Sequence, residues 1–200
     1  MEPYAATIDA FDLDAVIDDH LRSVAELLTR VPTDKVAATV QALDETRRKG
    51  GTAYLFGNGG SSTTALHLAN DLSAVTARLP PVLRTNCLNG NMSTFSALAN
   101  DTGYDNVFAG QLTALQPDDL VLAISASGNS ENCVRAIERA NARGARTVSL
   151  VGFDGGRLAH TSDITVHVPR RDYLSVEDAH SVVCHAIAHA MAQGPANAAQ

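Results

Sequence analysis

The rhythm of apolar and polar positions divides the chain into a helical N-terminal part and an alternating remainder. Between residues 13 and 28, apolar side chains recur every three or four positions, which predicts an amphipathic helix. Pro32-Thr33-Asp34 breaks this pattern, and a second helical pattern runs over 36–48. Because both helices precede the first strand, we expect residues 1–50 to form a helical hairpin of the same domain. The hairpin either builds a subunit interface or packs on the sheet.

From Thr52 onward, short apolar runs alternate with helical patterns. Strands are predicted over 53–56, 82–88, 120–125, 147–152 and 164–168, and helices over 63–75, 92–100, 107–115, 130–143 and 176–193. This alternation predicts an α/β fold with a mostly parallel five-stranded sheet covered on both faces. We expect one domain whose main body spans 51–193, followed by a tail over 194–200.

Composition and charge narrow the classes of function. The net charge of −7 argues against nucleic acid as a partner, because phosphate backbones are bound by clustered Lys and Arg. No apolar run is long enough for a transmembrane helix, and no secretory signal is visible at the N-terminus, so we expect a cytoplasmic protein without a membrane partner. Three scattered cysteines suit a reducing compartment better than a disulfide framework.

Two hydroxyl- and glycine-rich turns follow two of the predicted strands. Ser125-Ala126-Ser127-Gly128-Asn129-Ser130 leads from the third strand into a helix, and Gly57-Asn58-Gly59-Gly60-Ser61-Ser62 does the same after the first strand. Free N–H groups at a helix start bind phosphate, and the serine hydroxyls add donors. Neither turn contains the Lys of nucleotide-hydrolase loops. Ligands of open α/β sheets bind beyond the carboxyl ends of strands, so the two turns together predict a site for a small sugar phosphate.

Further motifs spread over nearly the whole chain. Beside the two turns they are His67 and Asp71, Asn100-Asp101-Thr102-Gly103-Tyr104, Gly152-Phe153-Asp154-Gly155-Gly156, Glu177-Asp178-Ala179-His180, and His185. Together these motifs resemble the sugar isomerase (SIS) domain family and, within it, the phosphoheptose isomerase branch. The resemblance implies a three-layer αβα sandwich with extra N-terminal helices.

The resemblance also implies a reaction and its residues. Members interconvert a ketose phosphate and an aldose phosphate through an enediol, here sedoheptulose 7-phosphate and D-glycero-D-manno-heptose 7-phosphate or a related long-chain sugar phosphate. One zinc ion per subunit would be held by His67, Asp71, Glu177 and His185, with Asp71 and His185 as the catalytic acid/base pair. A homotetramer with shared active sites is implied as well. The residues implied in substrate and phosphate binding are Asn58, Gly59, Ser61, Asn100, Asp101, Ser125, Ala126, Ser127, Ser130 and Glu177.

The spacing of the implied metal ligands is compatible with this assignment. His67 and Asp71 are four residues apart and share one helix face, as do Glu177 and His185, eight apart. Two imidazoles and two carboxylates make a plausible tetrahedral zinc site. Spacing alone does not establish it, because a His and an Asp four apart on a helix are more often a surface pair. His180 and His189 lie nearby but outside the implied ligand set.

Departures from the family pattern concentrate in the catalytic set. Asp71 stands where the family has Glu, Glu177 stands where it has Gln, and Ala74-Val75 replaces a Gly-Arg pair. These changes predict altered sugar specificity or lost catalysis. The alternative to an isomerase is therefore a non-catalytic SIS-domain protein that binds phosphosugars or proteins, similar to bacterial regulators of replication initiation. The retained histidines and the acid at position 71 favour the enzyme.

Overall fold

Five parallel strands form the centre of the protein in a computed structural model that describes residues 12–197. Their order across the sheet is β2-β1-β3-β4-β5. The strands are β1 (Thr52–Gly57), β2 (Arg84–Cys87), β3 (Leu120–Ser125), β4 (Arg146–Val151) and β5 (Ile164–His167). The helices are α1 (Leu13–Leu28), α2 (Thr33–Arg48), α3 (Gly60–Thr76), α4 (Met92–Thr102), α5 (Glu131–Ala142), α6 (Leu158–Thr161) and α7 (Tyr173–Asn197), with short 3-10 turns at Tyr104–Asn106 and Ala109–Gln111.

Helices cover both faces of the sheet. On one face Leu43 of α2, Leu68 of α3 and Ile187 of α7 pack with alternate side chains of the central strands. On the other face a second buried cluster contains Ile137 of α5 and Phe108, which lies just before the second 3-10 turn. All six residues of β3 are buried, as expected for a central strand of a parallel sheet. The predicted α/β fold with a five-stranded parallel sheet in three layers is therefore confirmed.

The predicted helix over 107–115 is wrong. The chain there makes a 3-10 turn at Ala109–Gln111, and Leu112 leaves helical geometry with φ −91° and ψ 35°. Its apolar spacing reflects tertiary packing, because Phe108 stacks on Phe56 with ring centroids 4.6 Å apart. Burial of side chains from an irregular segment has produced a pattern that looks helical.

The last helix is longer than predicted at both ends. The helix α7 begins at Tyr173 and continues to Asn197, past the predicted end at Gln193. Of the predicted tail over 194–200, residues 198–200 lie outside the described part of the chain, as do residues 1–11 of the predicted hairpin. Within residues 12–197, no helix combines the length and the apolar character that crossing a bilayer requires.

Candidate functional site

The two predicted phosphate turns meet at the carboxyl ends of β1 and β3. These strands are neighbours in the sheet, and Gly57 at the end of β1 lies opposite Ile124. A cavity of about 100 Å³ separates the two turns. Gly59 lies beside it as the residue that precedes α3. The residues that line the cavity are Asn58, Ser61, Ile124, Ser125, Ala126, Ser127, Ser130, Tyr173 and Glu177.

Two helices begin at this cavity without side-chain caps. Gly59 precedes α3 and Ser130 precedes α5, and neither helix has a side-chain hydrogen bond to its first turn from the capping residue. The hydroxyl-bearing side chains of Ser61 and Ser125 are almost completely buried in the cavity wall. Uncapped N–H groups, two positive helix-dipole ends and several hydroxyls together make a site suited to an anion.

The serine turn is held rigidly by the turn that follows β4. Gly128 has φ +65°, and a Cβ there would collide with the carbonyl oxygen of Gly155. The carbonyl of Gly128 accepts from the amide of Leu158 at 3.0 Å, and the Asn129 side chain accepts from the amide of Arg157 at 3.0 Å. Backbone packing that excludes any side chain at position 128 therefore fixes the shape of the turn.

A polar network fixes the side chain of Asn58. The amides of Asn58 and Asn132 donate to each other at 2.9 Å in both directions, and the Tyr104 hydroxyl donates to Asn58 Oδ1 at 2.9 Å. The oxygen of Asn58 thereby accepts two hydrogen bonds, and its amide nitrogen also lies 3.8 Å from Cys133 Sγ, so the side chain is held by its protein partners. Sequence reasoning did not assign a role to Asn132 or Tyr104. The signal for Asn132 was a polar residue at a buried position in the first turn of α5.

Asn100 and Asp101 are not among the residues that line the cavity within one chain, and their place in the site stays a prediction. Both side chains are exposed at the end of α4, where the Asn100 amide donates to Asp101 at 2.8 Å. Gly103, with φ +89°, turns the chain after α4. As a result Tyr104, and not Asn100 or Asp101, contacts Asn58.

The helices α3 and α7 run parallel and place further polar residues along one seam. A Cβ on Gly60 would meet the carboxylate of Glu177, which lies directly against it. One turn farther along, the hydroxyls of Thr64 and Ser181 are 3.5 Å apart. Another turn farther, Asp71 faces His185. The seam therefore starts at the anion cavity and leads to the predicted catalytic residues.

His67, Asp71 and His185 form a compact cluster at the far end of the seam. Asp71 Oδ2 lies 3.6 Å from Nε2 of His67 and 3.8 Å from Nε2 of His185. The two imidazole rings meet edge to face, with centroids 4.9 Å apart. One potential ligand atom from each residue lies within 4.8 Å of the others. Three such donors can hold a divalent metal and leave one coordination position open, as catalytic zinc sites do.

Within one chain Glu177 is not a member of this cluster, and its role as a fourth ligand stays a prediction. Eight residues of α7 separate it from His185, about 12 Å along the helix axis, and its carboxylate turns the other way, toward Gly60. Cys184 lines the small cavity beside the two histidines. Burial, and secondarily the charge of Asp71, raises the pKa of the Cys184 thiol to about 12, so it is protonated at neutral pH.

The remaining histidines of α7 lie apart from the cluster. His180 is fully buried, and neither of its ring nitrogens has a hydrogen-bond partner among the described residues. Burial lowers the pKa of His180 to about 4, so its imidazole is neutral at physiological pH. His189 is exposed one turn beyond His185. Both positions agree with a structural interpretation and add no ligand.

Comparison with known proteins agrees with the geometry. A family model described as "SIS domain" matches residues 19–152. A phosphoheptose isomerase of Mycobacterium tuberculosis is 39% identical over 141 residues, which are 70% of this chain and 72% of the relative. One from Syntrophotalea carbinolica is 34% identical over 167 residues, 83% of this chain and 85% of the relative.

A solved structure is similar to this protein over nearly the full length of the chain. The phosphoheptose isomerase of Francisella tularensis superimposes with a TM-score of 0.84 at 26% identity, covering 94% of this chain and 100% of that one. Sequence and structural comparison thus point to the same family. The chain belongs to the SIS domain family, in its phosphoheptose isomerase branch.

Proposed function

We propose that the protein isomerises sedoheptulose 7-phosphate to D-glycero-D-manno-heptose 7-phosphate, or carries out the same aldose–ketose conversion on a related long-chain sugar phosphate. One observation carries this proposal: a single seam between α3 and α7 joins an anion cavity to a cluster of two imidazoles and a carboxylate. The phosphate end would anchor the substrate, and the cluster would act on its other end.

The length of the seam favours a substrate with several carbons. Position 177 lies beside the anion cavity, and His185 lies about 12 Å farther along α7. An extended sugar phosphate of six or seven carbons spans about this length, whereas a three-carbon one would leave its carbonyl far from the cluster.

The cluster supplies the groups that an enediol mechanism needs. The Asp71 carboxylate takes a proton from C1 of the ketose, and the electron pair of that C–H bond forms the C1–C2 double bond of the enediol. Return of a proton to C2 gives the aldose, so the reaction has no net change in protons. His185 moves the proton between the O1 and O2 oxygens. The Asp71 side chain is mostly buried, whereas both imidazoles are more than half exposed and open to a substrate.

His67, Asp71 and His185 would hold zinc, one ion per subunit. A divalent metal bound there supplies Lewis-acid polarisation of the sugar oxygens. Metal analysis of protein purified without chelator tests this: we expect about one equivalent of zinc, lost in His67→Ala. His160→Ala, an exposed histidine remote from the cluster in sequence, serves as control and should keep its metal.

We also propose a cytoplasmic homotetramer with shared active sites, and exposed apolar surface supports the assembly. Helix α1 presents Leu13, Val16, Ile17 and Leu21 to solvent, each about half exposed or more. An open apolar groove of about 500 Å³ lies between α2 and α7 and includes Leu28 at the end of α1. Exposed apolar surface of this extent is typical of interaction sites. Light scattering after size-exclusion chromatography should give four chain masses, and a monomer would contradict the shared-site proposal.

The activity test uses purified protein and sedoheptulose 7-phosphate in heavy water. We expect aldose phosphate to form and deuterium to enter at C2, with neither outcome for sedoheptulose without phosphate. Asp71→Asn should abolish both signals, while Asp178→Asn, an equal charge loss on α7, should retain them. Binding of the sugar phosphate without any turnover would indicate the regulator instead.

A further inference from the structure

The anion cavity contains a negative charge of its own. The carboxylate of Glu177 lies against Gly60, the first residue of the 17-residue helix α3, and Glu177 lines the same cavity as Ser61, Ser125 and Ser127. We propose that this carboxylate occupies the phosphate cradle as an internal anion, so that a substrate phosphate binds only by displacing it. Glu177 would then set how tightly the site holds phosphate. The inference rests on the proposed function only in taking a phosphosugar as the ligand.

Glycine at position 60 makes this arrangement possible. A Cβ there would overlap the Glu177 carboxylate, so the absence of a side chain leaves the space that the carboxylate takes. The start of α3 carries partial positive charge and uncapped N–H groups, which attract a carboxylate for the same reason that they attract a phosphate. The two anions therefore compete for the same end of the helix.

No cationic residue among those lining the cavity offsets a second negative charge. The nearby arginines are engaged with carboxylates elsewhere. Arg157 pairs with Glu131 at 2.5 Å, and Arg171 pairs with Asp154 at 3.3 Å while most of its side chain faces solvent. Two anions confined in about 100 Å³ repel each other strongly in this half-buried setting. Binding of a phosphate thus requires the carboxylate to leave.

The seam offers the displaced carboxylate a place to go. The hydroxyls of Thr64 and Ser181 lie one helical turn farther along, toward His67 and His185. The Ser181 hydroxyl currently donates to the backbone carbonyl of Glu177 at 3.0 Å, and it can rotate to a side-chain acceptor instead. Occupation of the phosphate cradle would in this way move a carboxylate toward the catalytic end.

The test measures binding of inorganic phosphate to the full-length protein by titration calorimetry. Glu177→Gln keeps the shape of the side chain and removes its charge, so we expect the dissociation constant to fall at least about tenfold. Asp178→Asn removes the same charge from the next residue, whose carboxylate faces His20 at 2.8 Å, and should change the constant less than about twofold. An unchanged or weaker affinity in Glu177→Gln, including no measurable binding, would overturn the inference.

A second measurement uses only the unmodified protein and therefore does not depend on how the variant folds. In crystals grown with and without phosphate, the Glu177 carboxylate should lie against Gly60 only when phosphate is absent. A carboxylate that remains there beside a bound phosphate overturns the inference. Neither measurement requires turnover. Isomerase activity with no gain of affinity in Glu177→Gln removes the inference alone, and a gain of affinity without isomerase activity removes the proposed function alone.

Discussion

The two ends of the α3–α7 seam are built in different ways. At the anion cavity the backbone fixes the geometry: two helices start there, Gly128 packs against Gly155, and buried serines line the wall. At the other end three side chains meet on two helix faces, and both imidazoles are more than half exposed. The anion end is thus a property of the fold, whereas the cluster depends on a few exchangeable side chains.

This difference bears on positions 71 and 177, where the sequence analysis expects departures from the family pattern. Substitution of Glu by Asp at 71, or of Gln by Glu at 177, alters charge and reach without disturbing the sheet or the helices. A change at Gly128 would disturb the backbone itself. Chemistry and specificity can therefore diverge at side-chain positions of α3 and α7 while the phosphate turns persist.

The largest effect is expected from Asp71→Asn, which tests whether the catalytic cluster can be disabled without changing phosphate binding at the anion cavity. The amide cannot accept a carbon-bound proton, so turnover should fall by about 10³-fold or more. Inorganic phosphate should bind as in the unmodified protein, because Asp71 lies ten residues, or about three helical turns, beyond Ser61 at the cavity. Turnover and phosphate titrations on the same preparation check this. An equal loss of turnover and of phosphate affinity would show that the cluster and the anion cavity do not act independently.

Gly128→Ala should damage the anion end instead. The alanine would have to adopt a left-handed backbone conformation, and its Cβ would collide with the Gly155 carbonyl. We therefore expect a loss of about 3 kcal/mol in the free energy of unfolding. Gly144→Ala is the matched control, because Gly144 has a similar φ of +73° without a close neighbour. It should lose only about 1 kcal/mol. Urea denaturation measures both, and equal losses would contradict the close packing of the serine turn.

The sequence predicted the fold and the anion end better than the cluster. Strand ends followed by Gly57–Ser62 and 125–130 are local signals, and parallel topology brings them together. The direction of the Glu177 side chain was not predictable, because it depends on the free space at Gly60, contributed by another helix. Likewise, the contact of Tyr104 with Asn58 joins residues 46 positions apart and leaves no periodic pattern.

His180 is a buried histidine of α7 that belongs to neither end of the seam. We expect it to change the free energy of unfolding by about 2 kcal/mol as the pH falls. Burial holds the pKa of His180 at about 4 in the folded protein, against an ordinary value of 6.5. The unfolded chain therefore binds more protons between these values, and the stability contributed by neutral His180 is present above about pH 6.5 and is lost as the pH falls toward 4. Between about pH 7 and pH 5 we expect the unfolding free energy to fall by about 2 kcal/mol from this residue.

His180→Leu should make this decline shallower, while His160→Leu, at an exposed position, should leave it unchanged. Urea denaturation at the two pH values measures the slopes. Equal slopes in all three proteins would mean that His180 is not buried as a neutral imidazole. The phosphate affinity at neutral pH should not differ between the proteins, since His180 does not line the cavity.

The smallest effect is expected from Tyr104→Phe, which tests how firmly the wall of the anion cavity is held. Loss of the hydroxyl removes one hydrogen bond to Asn58 Oδ1, but the paired amides of Asn58 and Asn132 remain. Because Tyr104 is about half exposed, water can replace the hydroxyl, and we expect a cost of about 0.5 kcal/mol, seen as a two- to threefold rise in KM with kcat unchanged. Tyr54→Phe, in β1, is the control and should leave both constants unchanged. A large fall in kcat would instead place Tyr104 in the chemistry, and the separation of a rigid anion end from an exchangeable catalytic end would no longer hold.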